Sequence, residues 1–171
     1  ISSMLAFGSF LTGFNFLNYF SRNLDNILIG KYWGTAQLGQ YSKAYEILLL
    51  PINQINMPIT TVAVPALSRM QAEPDRYRSY YTKAVRIVSY LTLTFILFLC
   101  VISEDLILVL LGEQWTQAGR LFKVLAFAAL MQPLMSTSGW IYISLGKTKN
   151  MFYWSLISAP LIVASFFIGL P

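Results

Sequence analysis

Arg22 and Asp25 stand inside an otherwise apolar stretch, Phe14–Gly30, together with Asn15, Asn18, Asn23 and Asn26. A guanidinium presents a fixed fork of donors that suits phosphate. Asparagine offers donor and acceptor together, and tyrosine adds a flat apolar face, a combination that suits sugars. Asp25 lies three residues beyond Arg22, a spacing that lets the two pair on one helix face. A second polar set, Lys43, Glu46, Asn53, Gln54 and Thr61, follows. The chain has no histidine and one cysteine, Cys100. His-based metal sites, Ser-His-Asp chemistry and the HExxH class are therefore excluded. No catalytic residue, metal site or cofactor is expected; the loop candidates for an enzyme are Glu104, Asp105 and Glu113, and the first two are better explained as helix-start residues.

What positions these residues follows from periodicity. At 100° per residue, Asn15, Asn18, Arg22, Asp25 and Asn26 fall within roughly a 100° sector of one helix. The remaining faces are Phe, Leu, Ile and Tyr. In water such a helix would turn its polar side outward; in a bilayer the polar sector must face protein or a water-filled cavity. Composition chooses between the two. Of 171 residues, 56% are hydrophobic and 11% charged, with a mean hydropathy of +0.59, against about 25% charged in soluble domains. Residues 1–21, 47–68, 87–103, 124–146 and 150–171 contain no Asp, Glu, Lys or Arg. About 20 apolar residues span a bilayer core, so five such windows make this an all-α integral membrane protein.

The expected helices are 3–30, 36–70, 76–102, 116–145 and 150–171, with a short helix 104–111 too brief to span. Gly34 and Gly39 bracket the first connection. Pro51, Pro58 and Pro65 predict kinks on one face of the second helix, and Pro133 a bend in the fourth. Glu73-Pro74-Asp75 reads as a helix start, Ser103 as the cap of the short helix and Gly112 as its end. Seven Lys/Arg (69, 76, 78, 83, 86, 147 and 149) sit on the 2–3 and 4–5 connections, and four (31, 43, 120 and 123) on the others. The bias places loops 69–86 and 147–150 in the cytoplasm. The net charge of +5 is thereby a topology signal, and no nucleic-acid motif accompanies it. The chain opens on Ile1 without a basic n-region and stops while still apolar, so it reads as an interior piece of a longer protein.

Arg22 then sits about 12 Å below the outer end of helix 1, where an unpaired charge is costly, about 2.5–3.5 kcal/mol at the bilayer centre on insertion scales. Two readings stay open: a self-satisfied Arg22–Asp25 pair, or a cationic, amide-lined cavity wall that receives a polar or anionic substrate. Lys43 and Glu46 either face that cavity or form an ordinary surface pair.

The runs Asn18-Tyr19-Phe20-Ser21-Arg22-Asn23-Leu24-Asp25-Asn26-Ile27-Leu28-Ile29-Gly30-Lys31, Leu38-Gly39-Gln40-Tyr41-Ser42-Lys43-Ala44-Tyr45, Pro65-Ala66-Leu67-Ser68-Arg69-Met70-Gln71 and Leu156-Ile157-Ser158-Ala159-Pro160 carry a resemblance. In that order, across essentially the whole chain, they resemble the polysaccharide-transport family of bacterial lipid-linked oligosaccharide flippases. The O-antigen, colanic-acid and exopolysaccharide exporters belong to it, within the superfamily that also holds multidrug exporters. The resemblance implies a two-lobe transporter of twelve to fourteen helices, of which residues 1–171 are five of about six helices of the second lobe. It also implies that Arg22, Asp25 and their neighbours Asn15, Asn18 and Asn26 face the cavity, with Lys43, Glu46, Asn53 and Gln54 of the second polar set as further candidates for its lining. Its implied activity is flipping of an undecaprenyl-pyrophosphate-linked glycan in the bacterial inner membrane by rocking of the lobes, without enzymatic chemistry. The implied partners are the bilayer, the lipid-linked glycan, the first lobe and a coupling ion, H⁺ or Na⁺, carried by Asp25 or Glu46. Rival readings are a drug or cation antiporter of the same superfamily, and a membrane enzyme or structural subunit of lipid-linked glycan assembly.

Overall fold

A computed structural model of the protein describes the backbone of residues 2–169 and the side chains of that span except those of 2–4, 6, 22 and 167–169. Six α-helices make up the fold: α1 (Ser2–Arg69), α2 (Pro74–Val101), α3 (Ser103–Leu111), α4 (Thr116–Ala129), α5 (Gln132–Ser144) and α6 (Thr148–Gly169), with a 3₁₀ turn at Glu113–Trp115. Among the described residues there is no strand.

Helix α1 would be about 100 Å long if straight, far beyond one bilayer. It breaks at Gly34, whose φ of 84° and ψ of 175° lie in a region open essentially to glycine alone. The chain folds back there. Asp25 meets Tyr41, Asn26 meets Ser42, and Leu38 lies against Gly30, pairs nearly symmetric about position 34. The first limb (residues 2–33) and second limb (residues 35–69) are the two expected helices 3–30 and 36–70. The connection is tighter than Gly34 and Gly39 suggested, because Gly39 is helical. Pro51, Pro58 and Pro65 all lie inside the second limb, and Gly34 is the residue of α1 that leaves helical φ/ψ.

The other breaks follow their residues. Pro74 opens α2 with Asp75 in its first turn. Gly112 ends α3 at a φ of 90°. Pro133 bends the fourth span, so that the expected helix 116–145 is two helices meeting at 47°. Gly146 turns the chain at a φ of 68°. Ser103 does not cap α3: Ile102 (φ −94°, ψ 11°) makes the turn, and Ser103 is the buried first residue of the helix.

Two apolar clusters hold the bundle around the second limb. Ala44, Leu48 and Ile52 pack with Ile96, Leu99, Ile107, Ala118, Phe122 and Ala126 of α2, α3 and α4. Further along, Ala63 and Leu67 pack with Val88 and Trp140. Helix α6 covers the first limb, where the Phe152 ring lies against Gly13 and Phe10. Gln71 donates to the Ser144 carbonyl, and Tyr77 Oη lies 2.7 Å from Ser144 Oγ. The connections after the second limb and after α5 therefore share one end of the bundle, with the Gly34 turn and Gly112 at the other. Phe7–Arg69 and Pro74–Val101 are each long and apolar enough to cross a membrane, and α4–α5 joins them if the bent pair is one span.

Candidate functional site

Two residues of the polar sector of the first limb, Asp25 and Asn26, turn toward the second limb. Asp25 is only 8% exposed; its Oδ2 accepts from Tyr41 Oη at 2.7 Å, and its Oδ1 from the Asn26 N–H at 2.7 Å. Ser42 Oγ donates to Asn26 Oδ1 at 3.4 Å. Tyr41 also stacks on Tyr45, with ring centroids 6.0 Å apart and planes 7° from parallel. Asn18 is half-buried, while Asn15 is exposed. The Arg22 side chain lies outside the described residues. The opposite face of the limb exposes Phe16, Tyr19, Phe20 and Ile27, the surface a helix presents to lipid. This is the inversion expected of an amphipathic helix in a bilayer.

The second limb behaves differently. Lys43, Glu46, Asn53, Gln54 and Thr61 are all exposed, along with Leu50 and Met57 between them. Lys43 Nζ and Glu46 Oε2 pair at 2.7 Å, with 46% and 63% of their side chains exposed. Tyr41 and Lys43 are two residues apart, about 200° around a helix, so the two polar sets lie on opposite sides of the second limb. Tyr41 holds Asp25 on the covered side, and Ser42 reaches Asn26 from the border between the two sides. Lys43, Glu46, Asn53 and Gln54 share the open side. Sequence reasoning missed Tyr41, the partner of the buried carboxylate; reflection of Asp25 about Gly34 points to Lys43 and would not have found it.

The open face carries more acceptors than its side chains. Proline has no N–H, so Pro58 and Pro65 leave the carbonyls of Gln54 and Thr61 without their helical donors. Both carbonyls belong to residues of the exposed polar set. Elsewhere two polar pairs join helices: Thr92 with Asn56 at 3.4 Å and Trp140 Nε1 with Thr60 at 3.2 Å.

Residues 1–120 match the family described as polysaccharide biosynthesis protein. The chain belongs to that family. It is 28% identical over 154 residues to the teichuronic acid biosynthesis protein TuaB of Bacillus subtilis (strain 168), covering 90% of this chain and 32% of the relative. The lipopolysaccharide biosynthesis protein WzxC of Escherichia coli (strain K12) is 23% identical over 169 residues, 99% of this chain and 34% of that protein. The succinoglycan biosynthesis transport protein ExoT of Rhizobium meliloti (strain 1021) is 24% identical over 157 residues, 92% and 31% respectively. The chain thus spans about a third of the length of the curated relatives it matches. No solved structure matches it. Family membership and the apolar helices together make this a membrane protein of the polysaccharide biosynthesis family.

Proposed function

We propose that residues 1–171 form part of a flippase that moves an undecaprenyl-pyrophosphate-linked oligosaccharide across the bacterial cytoplasmic membrane by alternating access, without catalysing a reaction. The observation that carries the reading is the open polar face of the second limb. In hydrocarbon, each unsatisfied polar group costs several kcal/mol. Lys43, Glu46, Asn53, Gln54, Thr61 and two donor-free carbonyls along one face of an apolar helix call for water or a second lobe of protein, not lipid. A water-filled passage between two lobes supplies both. Family membership favours a glycan as cargo, since the relatives named above serve polysaccharide biosynthesis. The pyrophosphate is assigned to Arg22, whose guanidinium suits it, and the sugars to Asn15, Asn18, Asn53 and Gln54. The basic connections at one end of the bundle support a cytoplasmic placement of loops 69–86 and 147–150.

The test is made in the full-length protein with Cys100 replaced by alanine. Single cysteines at positions 53 and 54 are treated with a membrane-impermeant thiol reagent, and Arg22→Ala is scored for polymer export in cells. Labelling at both positions, with export lost in Arg22→Ala at normal protein level, is expected. Unreactive thiols together with normal export would rule the reading out.

A further inference from the structure

Beyond Asp25, the outer end of the hairpin opens onto a cleft that the reading above leaves without a role. Ile29 and Trp33 of the first limb, Gln37 and Tyr41 of the second, and Gln117 and Leu121 of α4 line it. It encloses about 470 Å³, inside the range of roughly 300–1,000 Å³ typical of small-ligand sites.

Its walls are held in place. One amide, that of Gln40, ties the second limb to α4: Nε2 donates to the Gln114 carbonyl at 3.0 Å, and Oε1 accepts from the Ala118 N–H at 2.9 Å. The Tyr41 ring is fixed by the bond to Asp25 and the stack on Tyr45. Trp33 is 54% exposed. Within the first limb, Ile29 and Trp33 fall in the same roughly 100° sector as Asn18, Arg22 and Asp25, so the cleft continues that polar line outward.

The lining selects its ligand class. Two aromatic rings, two carboxamides and two aliphatic side chains carry no formal charge, so nothing there neutralises a phosphate. A wholly apolar ligand would bury the amides of Gln37 and Gln117 unpaired, which is costly. A pyranose fits both halves, with an apolar ring face for the aromatics and hydroxyls for the amides. We propose that this cleft is a sugar-binding subsite that takes a pyranose residue of the transported glycan at the Gly34 end of the bundle, between the two limbs and α4. The proposal rests on the transport reading and adds a further sugar contact, at the Gly34 end of the bundle, to the asparagines and Gln54 named above.

The experiment uses purified full-length protein in lipid nanodiscs. Its probe is the free repeat-unit oligosaccharide released from the parent cell's own polysaccharide, with inorganic pyrophosphate as the comparison, both followed calorimetrically. A net hydrogen bond of about 1.4 kcal/mol is tenfold in affinity. The Gln37→Ala/Gln117→Ala variant should therefore bind the oligosaccharide about tenfold or more weakly, with pyrophosphate unaffected. Trp33→Phe keeps an aromatic face and should bind; Trp33→Leu keeps only apolar bulk and should not. The glutamines occupy exposed or half-exposed positions, so folding is expected to survive, and thermal melts check it. Wild-type affinity in the double variant, or Trp33→Leu binding as well as Trp33→Phe, would overturn the proposal and leave Trp33 as an interfacial anchor. The two readings fail separately. Normal polymer export in cells lacking the whole protein ends the transport reading. Export that needs the protein but is unchanged in the cleft variants ends the subsite alone.

Discussion

Removing the Tyr41 hydroxyl isolates a single interaction across the hairpin. In Tyr41→Phe the ring stays, and with it the stack on Tyr45, but Asp25 Oδ2 loses a donor 2.7 Å away. Two magnitudes compete. Interhelical hydrogen bonds in membrane proteins average only about 0.6 kcal/mol and reach about 1.7, because the unfolded chain in lipid also finds partners. Bonds to charged groups contribute about 1.5–3 kcal/mol. Asp25 is a carboxylate with 8% exposure, so the local dielectric is low and the missing donor is poorly replaced by solvent. The charged-acceptor value should win, and the Tyr41–Asp25 coupling should come to about 1.5–2 kcal/mol. A double-mutant cycle with Tyr41→Phe and Asp25→Ala measures it, by reversible unfolding of the full-length protein in mixed micelles with rising denaturing detergent. Alanine is chosen because asparagine would still accept the bond. A coupling of about 0.5 kcal/mol or less, the level of independent sites, would mean that the hydroxyl and the carboxylate do not hold the limbs together.

Three further outcomes follow from the same assay. Gly34→Ala meets no atom within 4 Å, so its cost is backbone alone, about 1–3 kcal/mol for forcing a side chain into this φ/ψ region. Gly39→Ala, equally uncrowded but helical, should instead stabilise by about 0.5–1 kcal/mol; equal effects at both positions would contradict the hairpin. At Gly13 an added Cβ would come within 2.7 Å of the Phe152 ring, whereas at Gly8 it would meet nothing within 4 Å. Gly13→Ala is therefore expected to loosen α6 by about 1–3 kcal/mol and Gly8→Ala is not. The exposed Lys43–Glu46 pair should show a coupling of no more than about 0.5 kcal/mol, so a larger loss of transport than of stability in Lys43→Ala would mark a functional role.

The sequence made the breaks legible wherever a residue dictates its own backbone. Gly34, Gly112 and Gly146 all take positive φ, and Pro133 divides the fourth span. Gly39 misled because glycine permits a turn without requiring one, and here the limb simply continues through it. Ser103 misled for a related reason: a hydroxyl before an apolar run can cap, yet burial against the bundle makes it helical and leaves the turn to Ile102. Each polar stripe was readable as a stripe. That they face opposite sides of the second limb was not, because the rotation of one limb about the other is set by the dihedrals at Gly34 and by packing against α4 and α6. Tyr41 was hidden for the same cause. Its role exists only once the hairpin centre is known.

That placement bears on what the protein moves. A cation antiporter needs an acid that can exchange its proton or ion with solvent during the cycle. The first candidate, Asp25, is 8% exposed, with both oxygens accepting hydrogen bonds, so it is held away from solvent. The second, Glu46, is exposed but neutralised by Lys43 at 2.7 Å. What the open face then offers is amide, hydroxyl and carbonyl groups around a balanced ion pair, a surface with little net charge and many hydrogen-bonding sites. Such a surface discriminates poorly between ions and well between hydroxyl patterns. On the transport reading proposed above, it favours a neutral, hydroxyl-rich cargo over a lone cation.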